Sequence, residues 1–118
     1  MKNPLLVPEF REMLAENNIE EIKDFCNTTP PAVVADFLGA MTADENREIL
    51  MQLSAEARSK IFSYFDNDVK LSMINLFDNG QLVDLIAGMH DDKQLDFLKQ
   101  LPLGKQKEIL VFVRKKWL

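Results

Sequence analysis

The chain is predicted to be all-α, a superhelical α-solenoid built as a stack of about nine short antiparallel helices. Two observations carry that expectation. Apolar residues recur every twelve positions, and residues that start or break helices recur in the same phase. Apolar pairs fall at Phe37-Leu38, Ile49-Leu50, Ile61-Phe62, Met73-Ile74, Leu85-Ile86, Phe97-Leu98 and Ile109-Leu110. A third column keeps step four residues after the first: Met41, Leu53, Phe65, Phe77, Met89, Leu101 and Val113. Positions i, i+1 and i+4 share one helical face and do not fit strand alternation. One continuous helix is excluded, because twelve residues at about 100° each leave successive triplets roughly 120° apart. The chain must break and restart in every repeat.

The first two helices are expected over 9–16 and 19–27. Met13-Leu14 and Phe25-Cys26 keep the phase there, but the third column turns polar at Asn17 and Thr29. Pro30-Pro31 then interrupts the chain and opens a helix over 32–40. Thr42 and Glu45 have the spacing of a capping box and start 44–53. Ser54 starts 56–65, Asp66 starts 68–77 and Asp78 starts 80–88, all three being good N-cap types. Asn79-Gly80 adds a backbone breaker at the last of these. His90 precedes 92–100, and Pro102 with Gly104 precedes 104–116. Arg114, Lys115 and Lys116 suit a helix C-terminus, and Trp117-Leu118 is an apolar tail that reads as a cut edge or an interface. Helices this short are marginal alone in water, so packing against neighbours must hold them. No linker suggests a second domain, so residues 1–118 form one unit.

Composition narrows the function classes. With 118 residues and 47% apolar content the chain suits one globular domain, and 28% charged residues is not a disordered composition. The net charge of −5 argues against nucleic acid as the main partner, since no basic stripe exists to neutralise phosphates. An acidic surface favours cations or basic partners. Cys26 is the only cysteine, so no internal disulfide forms and a reducing, cytoplasmic compartment is expected. No apolar run approaches the ~20 residues that span a bilayer, and the N-terminus lacks a signal-peptide core. The chain is therefore expected not to insert into a membrane itself, although it can be the water-facing part of a membrane protein.

Enzyme signatures are absent: there is one His, one Cys and one Tyr, with no phosphate loop and no zinc spacing. His90 reads as a surface residue at a helix start, Cys26 as a buried structural thiol, and Met13, Met41, Met73 and Met89 as core filling. The polar column before each apolar pair is Asp36, Glu48, Lys60, Ser72, Asp84, Asp96 and Glu108. It reads either as a solvated edge beside the buried stripe or as an acidic rim that attracts cations. Asp91, Asp92 and Asp96 crowd the stretch MHDDKQLDFLKQLP. Carboxylates at Asp91 and Asp92 suit a first helical turn by ~0.3–1 kcal/mol. Asp96, one turn later, gains little from the dipole and lies under Asp92. A hard ion such as Mg²⁺, which takes one or two carboxylates and keeps several waters, has a reason to bind that pair weakly.

The runs IEEIKDFCNTTPPAVVADFLGAM, LSAEARSKIFSYFDNDVKLSMINLF and MHDDKQLDFLKQLP resemble the intracellular N domain of MgtE-type magnesium transporters, over about Glu9 to the end. The resemblance implies a right-handed superhelix on the cytosolic side of the inner membrane, followed by a CBS-domain pair and a membrane domain, in a homodimer. It implies that Mg²⁺ bridges acidic residues of these parts and favours a closed channel. Asp92 and Asp96 match the family's metal-facing aspartates, with Asp91 a further candidate ligand. Lys60 stands where the family often has glutamate, and an ammonium there repels the ion. The expected function is thus a non-enzymatic Mg²⁺-sensing regulatory domain that gates transport through metal-bridged contact with the CBS pair. The alternative is a metal-independent protein-interaction scaffold similar to the helical repeats of the flagellar motor switch.

Overall fold

The computed structural model describes residues 7–117. Nine α-helices and no strand occur among them: α1 Val7–Ala15, α2 Ile19–Thr28, α3 Pro31–Leu38, α4 Ala43–Leu50, α5 Ala55–Ser63, α6 Asn67–Met73, α7 Asn79–Ala87, α8 Asp91–Gln100 and α9 Leu103–Trp117. The body measures 42 × 25 × 21 Å, elongated as a stack of short units should be. The basic side chains at 114–116 and the Trp117-Leu118 tail lie outside the described side chains.

Each start has a local cause. Asn17 closes α1 at φ 55, while the N–H of Asn18 bonds Met13 O at 2.8 Å and that of Asn17 bonds Leu14 O at 3.1 Å. This left-handed cap favours Asn, which explains the polar break in the third column. Thr29 is extended because a proline follows it, and Pro31 opens α3 at its first turn. Thr42 and Glu45 form a full capping box on α4, and Asp78 and Gln81 form another on α7. Ser54 accepts from the Ala57 N–H on α5. Asp66 and His90 precede α6 and α8 with extended backbone, but neither side chain accepts a capping bond.

The twelve-residue columns form the core. All seven residues of the first column, Phe37 to Ile109, are buried. The second column is buried from Leu38 to Ile86, and the third from Met41 to Leu101. Only Val113 of the third column falls within a helix, α9, however; from Met41 to Leu101 the column does not lie on the helices. It falls in the closing turn, where the N–H of Met41, Leu53, Phe65, Met89 and Leu101 bonds the carbonyl of the second-column residue three positions back. The expected helices 44–53, 56–65 and 68–77 therefore end early, the last in a 3-10 turn at Ile74–Leu76. Phe62 is the hub, with its ring centroid 5.8, 6.3 and 5.7 Å from those of Phe65, Phe77 and Phe97.

The main packing skips one helix. α5 packs on α3 and α7, α7 on α9, and α4 on α6, whereas most sequence neighbours are joined by turns with less contact. An apolar pair plus a third residue is too broad for one seam, so each unit faces two neighbours. Cover fails at the far end: Leu98 is half-buried and Leu110 is 61% exposed. Both line an apolar groove of about 430 Å³ among α7, α8 and α9.

Candidate metal-binding face

α8 carries the three candidate aspartates. Asp91 and Asp92 occupy its first turn, where the helix dipole favours carboxylates, and Asp96 lies one turn on from Asp92. All three are exposed. Among the described residues neither Asp91 nor Asp92 makes a hydrogen bond or ion pair, and no group of three or more His, Cys, Asp or Glu residues could hold a metal ion. The face thus offers a pair of carboxylates at i and i+4. It is not an enclosed cage.

Two lysines stand beside this pair. The Lys93 ammonium lies over the Tyr64 ring, 4.3 Å from its centroid. Lys70, from α6, is only 6% exposed, and its ammonium lies 6.0 Å from the centroid of Phe97, the residue after Asp96. Burial lowers the Lys70 pKa, the Lys93 charge lowers it further, and the Asp96 carboxylate opposes both. Among the described residues the Lys70 ammonium forms no ion pair with Asp96; the ring of Phe97 is what it meets on α8, a tertiary contact that sequence reasoning did not anticipate.

The wider acidic column is mostly a solvated edge. Glu48, Asp84 and Glu108 are exposed and Asp36 is half-buried. Glu108 pairs with Lys105 at 3.3 Å, and Lys60 pairs with Glu56 at 3.1 Å. Lys60 and Glu56 line a cavity of about 290 Å³ with Cys26, which includes no aspartate of α8. Cys26 is buried and burial pushes its thiol up to about 11, so it stays a protonated core group. His90 is exposed at the start of α8.

A second device escaped the sequence reading. Four residues after three of the helix-starting positions, Ser54, His90 and Pro102, a polar side chain reaches back to the preceding turn. Arg58 donates to Leu53 O and Leu50 O at 3.0 Å, Gln94 to Met89 O at 2.9 Å, and Gln106 to Leu101 O at 2.8 Å. These bonds satisfy carbonyls left open at helix ends. Lys70 and Asn46 occupy the same twelve-residue column but make no such bond. Asn46 is 1% exposed, and both its side-chain polar atoms lack a partner among the described residues. The signal was present from Asn46 to Gln106 as a polar twelve-residue column broken at Leu82, although the same column is apolar before it at Ile22 and Val34. The Arg11–Glu45 pair, 2.8 Å across 34 positions, had no sequence signal at all.

Among the described residues the chain is an all-helical repeat that carries its candidate carboxylates on an open face. No helix among the described residues is long and apolar enough to cross a membrane. The family model for the MgtE intracellular N domain matches residues 29–116, and the chain belongs to that family. The match begins later than the resemblance from Glu9, so α1 and α2 lie outside it. No curated protein matches the chain. The family is that of a magnesium-transporter regulatory domain, not a catalytic one.

Proposed function

We propose that this domain senses Mg²⁺ on the cytosolic side of the inner membrane. In this reading it belongs to a longer homodimeric transporter, and Asp92 and Asp96, with Asp91 as a further ligand, form half of a shared site. A CBS-domain pair supplies the other oxygens. Two acidic faces repel until the ion bridges them, so occupancy shifts a two-state equilibrium toward the closed transporter. The observation that carries the reading is the exposed carboxylate pair on α8 in a chain of the MgtE N-domain family. An open two-carboxylate face suits an ion that keeps most of its water.

The test is a Mg²⁺ titration followed by backbone amide NMR shifts. Saturable shifts confined to α8, lost in the Asp92→Asn, Asp96→Asn double variant with its helical signal intact, support the sensor. A full metal response in that variant removes the site.

The metal-independent scaffold has one observation in its favour. Lys60, where the family often has glutamate, is satisfied by Glu56 within its own helix. Shifts that are small and uniform along the chain would put this reading first.

A further inference from the structure

We propose that the groove among α7, α8 and α9 docks an amphipathic helix of a partner protein. That helix presents two adjacent apolar residues and a third four positions after the first. It takes the place that a further repeat of this stack would take.

The repeat itself shows what fills such a position. Phe62 is 0% exposed, and two later residues reach it: the ring centroids of Phe77 and Phe97 lie 6.3 and 5.7 Å away. Three repeats of twelve carry Phe62 to Leu98, and the same step carries Phe77 to Val113. Leu98 and Val113 line one groove, as the repeat requires. The step carries Phe97 past residue 118, so the sequence holds no counterpart of the third member. Leu98 is accordingly only half-buried. Within the chain the covering residue, Phe97, belongs to a helix with the apolar triplet Phe97, Leu98 and Leu101.

The apolar surface runs along two neighbouring helices. On α8, Gln94, Leu95 and Leu98 share one face, and on α9 so do Leu103, Leu110 and Val113. Leu95, Leu103 and Leu110 are 54%, 74% and 61% exposed. An apolar groove flanked by exposed leucines is the kind of surface that receives the apolar face of a helix. Asp92 and Asp96 lie roughly 120–160° around α8 from Leu98, so the proposal does not depend on the metal reading.

A second copy of this chain is the poorer occupant. At the other end of the stack, α1, α2 and the turn between them expose Glu12, Glu16, Glu20, Glu21 and Asp24, the polar outer face of a capping unit. Copies therefore gain no apolar contact by joining head to tail. Joined groove to groove, they would set one concave surface against another. The other large apolar side chains exposed among the described residues, Val33, Tyr64 and Val111, belong to three different units and form no ridge. A partner helix supplies the convex ridge that the groove needs.

The test is binding of a synthetic peptide to the whole 118-residue chain, followed by backbone amide NMR shifts, with sedimentation equilibrium reporting self-association. The probe has the sequence of residues 91–101, held helical by a hydrocarbon cross-link, and so carries Phe97, Leu98 and Leu101. The control peptide has Phe97→Ser and Leu98→Ser. The expected result is saturable shifts around Val83, Ile86, Leu98 and Leu110 with the probe and none with the control peptide. Leu110→Glu in the chain should weaken binding about tenfold, with Leu110→Ser as the second variant should glutamate disturb α9. Val33→Glu, on α3 and away from the groove, should bind as the parent does. A probe that leaves the groove amides unmoved, or binds the Leu110 variants as tightly as the parent, overturns the proposal. A parent that dimerises, with the dimer lost in Leu110→Glu, assigns the groove to a second copy and overturns the partner helix. The Asp92→Asn, Asp96→Asn variant should bind the probe unchanged, so the metal face and the groove stand or fall separately.

Discussion

Gly88→Ala tests a close approach between α5 and α7. Gly88 caps α7 with ordinary right-handed backbone, so alanine meets no conformational barrier there. What it meets is α5: an added Cβ would lie 2.2 Å from the Ser59 Cβ and 2.5 Å from its Oγ. The Cβ atom belongs to the rigid base of a side chain, so α5 and α7 must separate. Overpacking of this kind costs about 1–3 kcal/mol. The separation also strains the bond from Ser59 Oγ to Asp84 O, 3.1 Å long, a hydrogen bond of a type contributing about 1 kcal/mol. Restricting the unfolded chain returns about 0.4–1 kcal/mol. The net loss is about 1–3 kcal/mol, a fall in Tm of roughly 4–15 °C for a domain near this size. Thermal unfolding followed by far-UV circular dichroism measures it. Ser59→Gly in the same chain removes the clashing atom, so the double variant should recover part of the loss, a coupling expected of residues in contact. A Gly88→Ala protein with unchanged or raised Tm would refute the packing argument, because the entropic gain would then stand alone.

Thr42→Ala and Asp78→Ala each break a capping box and should cost about 1 kcal/mol, whereas Asp66→Ala should cost little because Asp66 makes no capping bond; urea midpoints separate the three. The Arg11 guanidinium, with the Thr42 backbone, holds Glu45 at about 2, below its ordinary 4.5. The folded value is the depressed one, so this stabilisation is complete above about pH 4.5 and is lost as pH falls toward 2. Arg11→Met should therefore lower the urea midpoint at pH 7 and not at pH 2, and only slightly, because the pair is partly exposed; an equal difference at both pH values would sink this account.

Much of the fold was legible because burial in a repeat is a local property of the chain. The columns named from spacing alone supply most of the core, from Phe37 to Ile109, with Leu98 and Leu110 the members that escape full burial along that run. The helix ends were less legible. A residue at i+4 can sit on the same helical face or in a tightened closing turn, and both bury it. Met41, Leu53, Phe65, Met89 and Leu101 take the turn. Packing between alternate helices was not visible either, since no pattern within one unit says which neighbour it meets.

The candidate site divides in the same way. Placing Asp92 and Asp96 on one exposed helix face needed only the period of the helix. The ammonium beside the Phe97 ring is a tertiary fact, because Lys70 arrives from α6 and the twelve-residue column would have assigned it a carbonyl to bond. A twelve-residue repeat makes each exception informative: where the Arg58 and Gln94 side chains fasten turns, the Lys70 stem packs into the core and carries its ammonium toward the Phe97 ring instead.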